Sequence, residues 1–157
     1  MVATQHLVGL ISDTHGLIRS EAINHLRGCE LIVHCGDIGS PAVLEALRNL
    51  APVRAIRGNN DTGAWASGLP ITDVVEVGAH RLYVLHDFAD LDLDPVAAGF
   101  SAVLSGHSHK PVIEKRRGVL HVNPGSAGPR RFTLPVAVAL LVLCSTACEA
   151  MIVQIPA

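Results

Sequence analysis

Three short apolar runs, at residues 6–11, 31–34 and 53–56, are separated by two segments whose apolar residues recur at helical spacing. Runs this short and this apolar fit strands buried on both faces. Between the first two, Ile18, Ala22, Ile23 and Leu26 share a helix face, and Gly28 supplies the stop. Between the second and third, Ser40-Pro41 reads as an N-cap followed by Pro at the first helical position. Val43, Leu44, Leu47 and Leu50 carry that helix to Pro52. The order is βαβαβ. Parallel strands need crossovers of this kind, so the pattern predicts a parallel sheet with helices against it.

After Asp61 the rhythm changes. Residues 73–77 and 80–85 predict strands joined by a two-residue turn at Gly78-Ala79. A short helix is expected at 95–99 and a strand at 102–105. Segments 112–115 and 119–122 read as a hairpin turning at Arg116-Arg117-Gly118. A loop rich in Gly, Pro and Arg, 123–131, leads into a closing hairpin of 136–143 and 151–155. With 157 residues, the chain is about one domain long. Residues 1–157 are expected to form a single α/β (α+β) domain with a parallel half and an antiparallel half. That makes two packed mixed β-sheets flanked by helices.

Charge excludes some functions. Lys and Arg number 12 against 14 Asp and Glu, a net −2, which argues against a strongly basic nucleic-acid binder. Hydrophobic residues at 49% and charged ones at 17% exclude disorder. So little charge also hints at a homo-oligomer. None of the four cysteines forms a CxxC pair, and reduced thiols are expected, with a disulfide or a metal site at Cys144 and Cys148 a poor second. Residues 1–5 carry no basic leader. The longest apolar run, 134–144, is too short to span a bilayer and contains Pro135. A cytoplasmic location and no membrane partner are the expectation. Nine histidines against five aromatic residues ask for a chemical explanation.

The ligand-type residues follow the strands: Asp13-Thr14-His15, Gly36-Asp37, Gly58-Asn59-Asn60-Asp61, His86-Asp87 and Gly106-His107-Ser108-His109. Loops at the carboxyl ends of sheet strands converge on one rim. Five loops thus bring together Asp13, His15, Asp37, Asn59, His86, His107 and His109. Taken singly, each cluster reads as a turn. Together, two carboxylates, an amide and four imidazoles exceed what one ion needs and suit two ions with a shared carboxylate. Two divalent ions and two Asp leave a charge of about +2, which suits a phosphate ester. N/O ligation without thiolate favours manganese, iron, zinc, cobalt or nickel over calcium.

This ordered set resembles the calcineurin-like metallophosphoesterases. Further words agree: Ile11-Ser12 before Asp13, His34-Cys35 before Gly36, Arg57 before Gly58, Lys110-Pro111, and Asn123-Pro124-Gly125-Ser126. The likeness spans essentially the whole chain and is greatest to the small single-domain phosphodiesterases; the same branch includes a retromer scaffold subunit. It implies two β-sheets packed face to face with flanking helices. It assigns one metal to Asp13, His15 and His109, a second to Asn59, His86 and His107, and the bridge to Asp37. It implies hydrolysis of a small phosphate ester, most readily a phosphodiester, by in-line attack of a hydroxide shared by two divalent ions, manganese first among them. A non-catalytic scaffold and a phosphomonoesterase or nucleotide pyrophosphatase are the alternatives. No stable nucleic-acid partner is expected.

Two positions depart from the family pattern. Many relatives carry His after the Gly-Asn pair, and small phosphodiesterases often carry Cys; here Asn60 stands there. Asparagine donates a hydrogen bond but supplies no proton. The fourth motif reads His86-Asp87-Phe88 rather than His-Gly-His. Asp37, Asn59, Asn60 and Asp61 are the expected catalytic set, with Asp61 either orienting a histidine or forming a turn. Without an evident general acid, esters with acidic leaving groups are favoured, unless Asp61, Asp87 or water fills the gap. Arg130 and Arg131 read equally as a phosphate clamp and as solvated loop. His34 is expected to hold strand ends together, and His6, His25, His80 and His121 to be surface or structural.

Overall fold

The computed structural model describes residues 4–156, so the reading of residues 1–5 lies mostly outside them. Three strands and two helices come first: β1 (His6–Ile11), α1 (Ser20–Leu26), β2 (Leu31–His34), α2 (Pro41–Arg48) and β3 (Val53–Ala55). Then follow α3 (Ala64–Ser67), β4 (Thr72–Val77), β5 (His80–Leu85), a 3₁₀ turn (Phe88–Asp90) and β6 (Ala102–Leu104). Two hairpins close the chain: β7 (Val112–Arg116) with β8 (Val119–Asn123), and β9 (Val136–Leu143) with β10 (Cys148–Ile155). One sheet runs β10-β9-β1-β2-β3 and the other β4-β5-β6-β8-β7. Both are mixed, as expected.

The side-chain alternation of β1 shows how the layers assemble. Val8 and Leu10 point between the sheets, where they meet Val33, Leu82, Val84, Leu104 and Val122. Leu7 and Ile11 point the other way, toward Leu26, Ile32, Leu47 and Val138 under the helices. Gly9 lies on that helix side, where a Cβ would sit 2.6 Å from the Leu26 side chain. Leu10, Ile11, Leu26 and Leu104 are fully buried, each worth about 1.5–3 kcal/mol of apolar transfer. A third, smaller cluster of Tyr83, Phe100 and Val103 covers the outer face of the second sheet.

Several expectations are corrected. The second sheet is not an antiparallel half: β5 pairs β6 in parallel and β6 pairs β8 in parallel. The closing hairpin leaves that half and lies antiparallel against β1. Residues 95–99 form a turn, not a helix; Asp94 Oδ1 takes the Val96 N–H at 3.0 Å and Gly99 has φ +78°. Ser40 stands at the N-cap of α2, but its side chain makes no capping bond. That helix ends at Arg48, and α1 begins at Ser20, so Leu50 and Ile18 pack from flanking loops. The last strand starts at Cys148 rather than 151, across a tight turn closed by Cys144 and Ala147. The hairpin after β7 turns on Arg117 and Gly118, both left-handed at φ 52° and 84°, the conformation a two-residue turn of this hand requires. All four cysteines are free thiols. Among the described residues, no helix is long and apolar enough to cross a membrane.

Candidate metal centre

The carboxyl ends of β1, β2 and β3 in one sheet and of β5 and β6 in the other open onto the same rim. Their loops are stitched to one another by main-chain bonds. Asp13 N–H donates to Gly36 O (3.0 Å), His15 N–H to Asp37 O (3.0 Å) and Gly106 N–H to His86 O (2.9 Å). The backbone is bent hard to do this. Asp13, His15, Asp37, His107 and His109 all have left-handed φ, between 47° and 73°, a region that disfavours residues with a Cβ. Two glycines make the approach possible: a Cβ on Gly58 would collide with Asp37, and one on Gly106 with Ser12 Oγ.

Asp13 is held through one oxygen and Asp37 through both. Asp13 Oδ2 accepts from Ser12 Oγ (2.6 Å) and the His107 N–H (3.0 Å), while Oδ1 is buried with no hydrogen-bond partner. Asp37 accepts from the Asn60 N–H (2.9 Å) and Asn60 Nδ2 (3.0 Å). Burial pushes the Asp37 carboxyl up, but His86 and Asn60 outweigh it and hold it below the usual carboxylate range.

The histidines aim at those oxygens. His86 Nδ1 lies 2.7 Å from Cys35 O, so Nδ1 carries the proton and Nε2 faces the site. Nε2 stands 3.2 Å from Asp37 Oδ2 and 3.9 Å from Asp13 Oδ1, without hydrogen-bond alignment. Burial lowers the His86 pKa, yet the Asp37 carboxylate and the Cys35 carbonyl raise it on balance to about 9. His109 Nε2 is 3.4 Å from Asp13 Oδ1 and 3.4 Å from His15 Nε2. Burial holds His109 below its ordinary value, and the Arg131 charge acts in the same direction.

Donor atoms close within 4.8 Å in two groups: Asp13, His15 and His109, and Asp13, Asp37 and His86. Buried polar atoms turned toward one another are costly unless positive charge sits among them, which either a protonated His86 or a bound cation supplies. Two carboxylates and three imidazoles fit a first-row divalent cation. Asp13 Oδ1 is common to both groups, and Asp37 Oδ2 also lies 4.0 Å from His15 Nε2, so both carboxylates span the pair.

Of the seven expected ligands, five meet in these groups. His107 and Asn59 stand beside them, on the wall of a cavity of about 650 Å³ also lined by Arg57, Ile71, Tyr83 and Asp90. His107 is half-exposed, its ring 5.2 Å from that of His86 and its Nε2 3.6 Å from Asp87 Oδ2. Asp61 touches no histidine. Its carboxylate accepts three main-chain N–H groups, from Ile38 (3.1 Å), Gly39 (3.0 Å) and Gly58 (2.9 Å), and so clasps the second loop to the third. His34 lies fully buried below, between Thr14 Oγ1 (3.0 Å) and the Gly36 N–H (3.1 Å), and burial pushes its pKa down to about 3. His6, His80 and His121 bond to Glu30, to Ser101 and to Ser105, away from the centre.

Three supports were not read from the sequence. Ser12 fixes Asp13. Asn123 donates through Nδ2 to Gly106 O (2.9 Å) and Ser108 Oγ (3.1 Å). Ser126 donates to Asp13 O (2.9 Å). The Ile11-Ser12 and Asn-Pro-Gly-Ser words were their only signals, and neither carried a role.

Residues 7–146 match the sequence model of the calcineurin-like phosphoesterase superfamily domain. A probable metallophosphoesterase of Methanothermobacter thermautotrophicus is 33% identical over 146 residues, 85% of this chain and 84% of that protein. A phosphodiesterase of Methanocaldococcus jannaschii is 28% identical over 136 residues, 75% of this chain and 82% of that one. Among solved structures, Vacuolar Protein Sorting 29 of Cryptosporidium parvum shares the fold with a TM-score of 0.78 at 18% identity, over 96% of this chain and 98% of that one.

Proposed function

Because the chain belongs to the calcineurin-like phosphoesterase superfamily, we propose that it hydrolyses phosphodiesters with two divalent cations held at the rim described above. One cation is assigned to Asp13, His15 and His109 and the other to Asn59, His86 and His107, with Asp37 between them. The observation that carries this reading is the pair of buried, unpartnered atoms Asp13 Oδ1 and His86 Nε2, which face each other at 3.9 Å. When bound, such cations polarise phosphoryl oxygens and acidify water to a nucleophile at neutral pH.

The chain's own residues shape the rest. Asn60 holds the Asp37 carboxylate with both of its nitrogens and keeps one Nδ2 hydrogen for a phosphoryl oxygen. It gives no proton to a departing alkoxide. Asp87 is engaged by the Ala89 N–H at 3.0 Å. Aryl diesters are therefore the expected substrates, and alkyl diesters slower by about the 10²–10⁴-fold that general acid catalysis contributes.

The test begins with chelator-stripped protein reloaded with manganese, zinc, nickel or magnesium. An aryl diester, an aryl monoester and a dinucleotide are assayed, and bound metal is counted by elemental analysis. Wild type takes up about two ions per chain, and Asp37→Ala loses both metal and turnover. Turnover that survives the chelator, or an Asp37→Ala protein with full metal content, overturns the reading. The fold likeness to Vacuolar Protein Sorting 29 supports a second reading, a scaffold without turnover; the complete donor set favours the enzyme.

A further inference from the structure

A strand at the edge of a sheet leaves half of its main-chain groups without partners, and chains that stay single blunt such edges with charge, proline or brevity. Two sheets give this chain four edges, β10 and β3 in one and β4 and β7 in the other. Three of them are blunted. β3 has only three residues. Its Arg54 reaches across to β4, where it holds Asp73 at 2.9 and 2.8 Å and donates to the Val74 carbonyl at 3.3 Å. β7 carries Glu114, Lys115 and Arg116, all exposed.

β10 is not blunted. It runs for eight residues with a single charge, Glu149, and no proline, lysine or arginine. The turn before it fixes which of its groups face outward. Cys144 and Ala147 exchange both main-chain hydrogen bonds, at 2.9 and 3.4 Å. Hydrogen-bonded and non-bonded pairs alternate from there along an unbroken register, from Leu143 opposite Cys148 to Val136 opposite Ile155. Glu149, Met151, Val153 and Ile155 therefore bond to β9. Cys148, Ala150, Ile152 and Gln154 turn N–H and C=O away from the sheet, and among the described residues no main-chain group meets them. Midway along this open edge, Met151 is 56% exposed.

We propose that this edge is the interface of a homodimer, in which β10 pairs antiparallel with β10 of a second copy about a two-fold axis. Only outward-facing residues can exchange hydrogen bonds across that axis. With Met151 on the axis, Cys148 meets Gln154 of the second copy and Ala150 meets Ile152, so every outward residue of the strand is paired. An axis one residue away in either direction leaves outward groups of the strand unpaired. Met151 then lies against its own counterpart, about 4.5 Å away between Cα atoms, as in any non-bonded pair. Glu149 faces Val153, and the two glutamates stand about 14 Å apart along the strands, so no like charges oppose one another. This fit of the strand to its own inverse selects a second copy over a foreign strand. The two five-stranded sheets become one continuous sheet.

Light scattering on gel-filtered wild type at micromolar concentration should give twice the mass of one chain. Met151→Lys sets two ammonium groups face to face across the axis. It should give the mass of one chain, with metal uptake and far-ultraviolet circular dichroism unchanged. Met151→Cys supplies a measurement that does not depend on tolerating a charge. Mild oxidation should join it into a covalent dimer on a non-reducing gel, whereas Glu149→Cys and the wild type should stay single there. A wild type with the mass of one chain overturns the proposal. So does a Met151→Lys protein that remains a dimer, or a Met151→Cys protein that crosslinks no faster than Glu149→Cys.

Discussion

Asp61 gives the most exacting test of how the rim is held. Its carboxylate is 5% exposed and accepts three main-chain N–H groups, Ile38 and Gly58 on Oδ2 and Gly39 on Oδ1. Asp61→Asn keeps shape and volume but offers one oxygen where two were used. The amide oxygen can retain the Ile38 and Gly58 pair. Its NH₂ then faces the Gly39 N–H, donor to donor. One hydrogen bond to a charged group is lost, about 1.5–3 kcal/mol, and the Gly39 N–H is left without an acceptor, about 1–3 kcal/mol if it stays dry. The two overlap, and a destabilisation of about 3 kcal/mol is the expectation. For a chain of this length that is a fall in Tm of about 6–12 °C. Urea denaturation of metal-free protein reads it directly. Because Ile38 follows Asp37 and Gly58 precedes Asn59, metal affinity should fall as well. A change within 0.5 kcal/mol would mean that the clasp is incidental to stability and would refute this account.

Other outcomes follow from the same structure. His34 is neutral in the folded chain, with its pKa held down to about 3 by burial, while the unfolded chain takes up a proton near pH 6.5. The folded state therefore loses stability as pH falls from about 6.5 toward 3, by up to about 1.4 kcal/mol per pH unit. His34→Gln should be less stable at pH 7, and its deficit should shrink toward pH 5; a gap that does not change with pH refutes this. Gly106→Ala drives a methyl group into Ser12 Oγ and the Asp13 carboxylate. It should cost about 1–3 kcal/mol and weaken manganese uptake in titration calorimetry, whereas Gly68→Ala, where a Cβ meets nothing within 4 Å, should leave uptake as it is.

What the sequence disclosed and what it withheld divide along a physical line. The strands β1, β2 and β3 were legible because burial on both faces leaves an apolar run, and β4 and β5 because a glycine turn separates two alternating segments. The helix α3 and the 3₁₀ turn at Phe88–Asp90 span four and three residues, too few for any period to show. The parallel pairing of β6 between β5 and β8 depends on which sheet edge is free, which no local pattern records. Within the site, the donors stood out because their residue types are rare at strand ends. Their supports did not. Ser12, Asp61, Asn123 and Ser126 act through main-chain groups or neighbours that mostly lie in other loops. Serine, asparagine and aspartate are common in turns for reasons of their own. Asp61 was open between two roles for that reason, and only the three N–H groups around it select one.

The left-handed backbone at Asp13, His15, Asp37, His107 and His109 also bears on how such a chain drifts under mutation. At about 1 kcal/mol each, the five together hold roughly a third to all of the margin by which a domain of this kind stays folded. Exchanging any of them for glycine or asparagine relaxes the main chain while discarding a donor. Loss of chemistry in this lineage is thus a downhill path for the scaffold, and an inert descendant should be sturdier than its working ancestor.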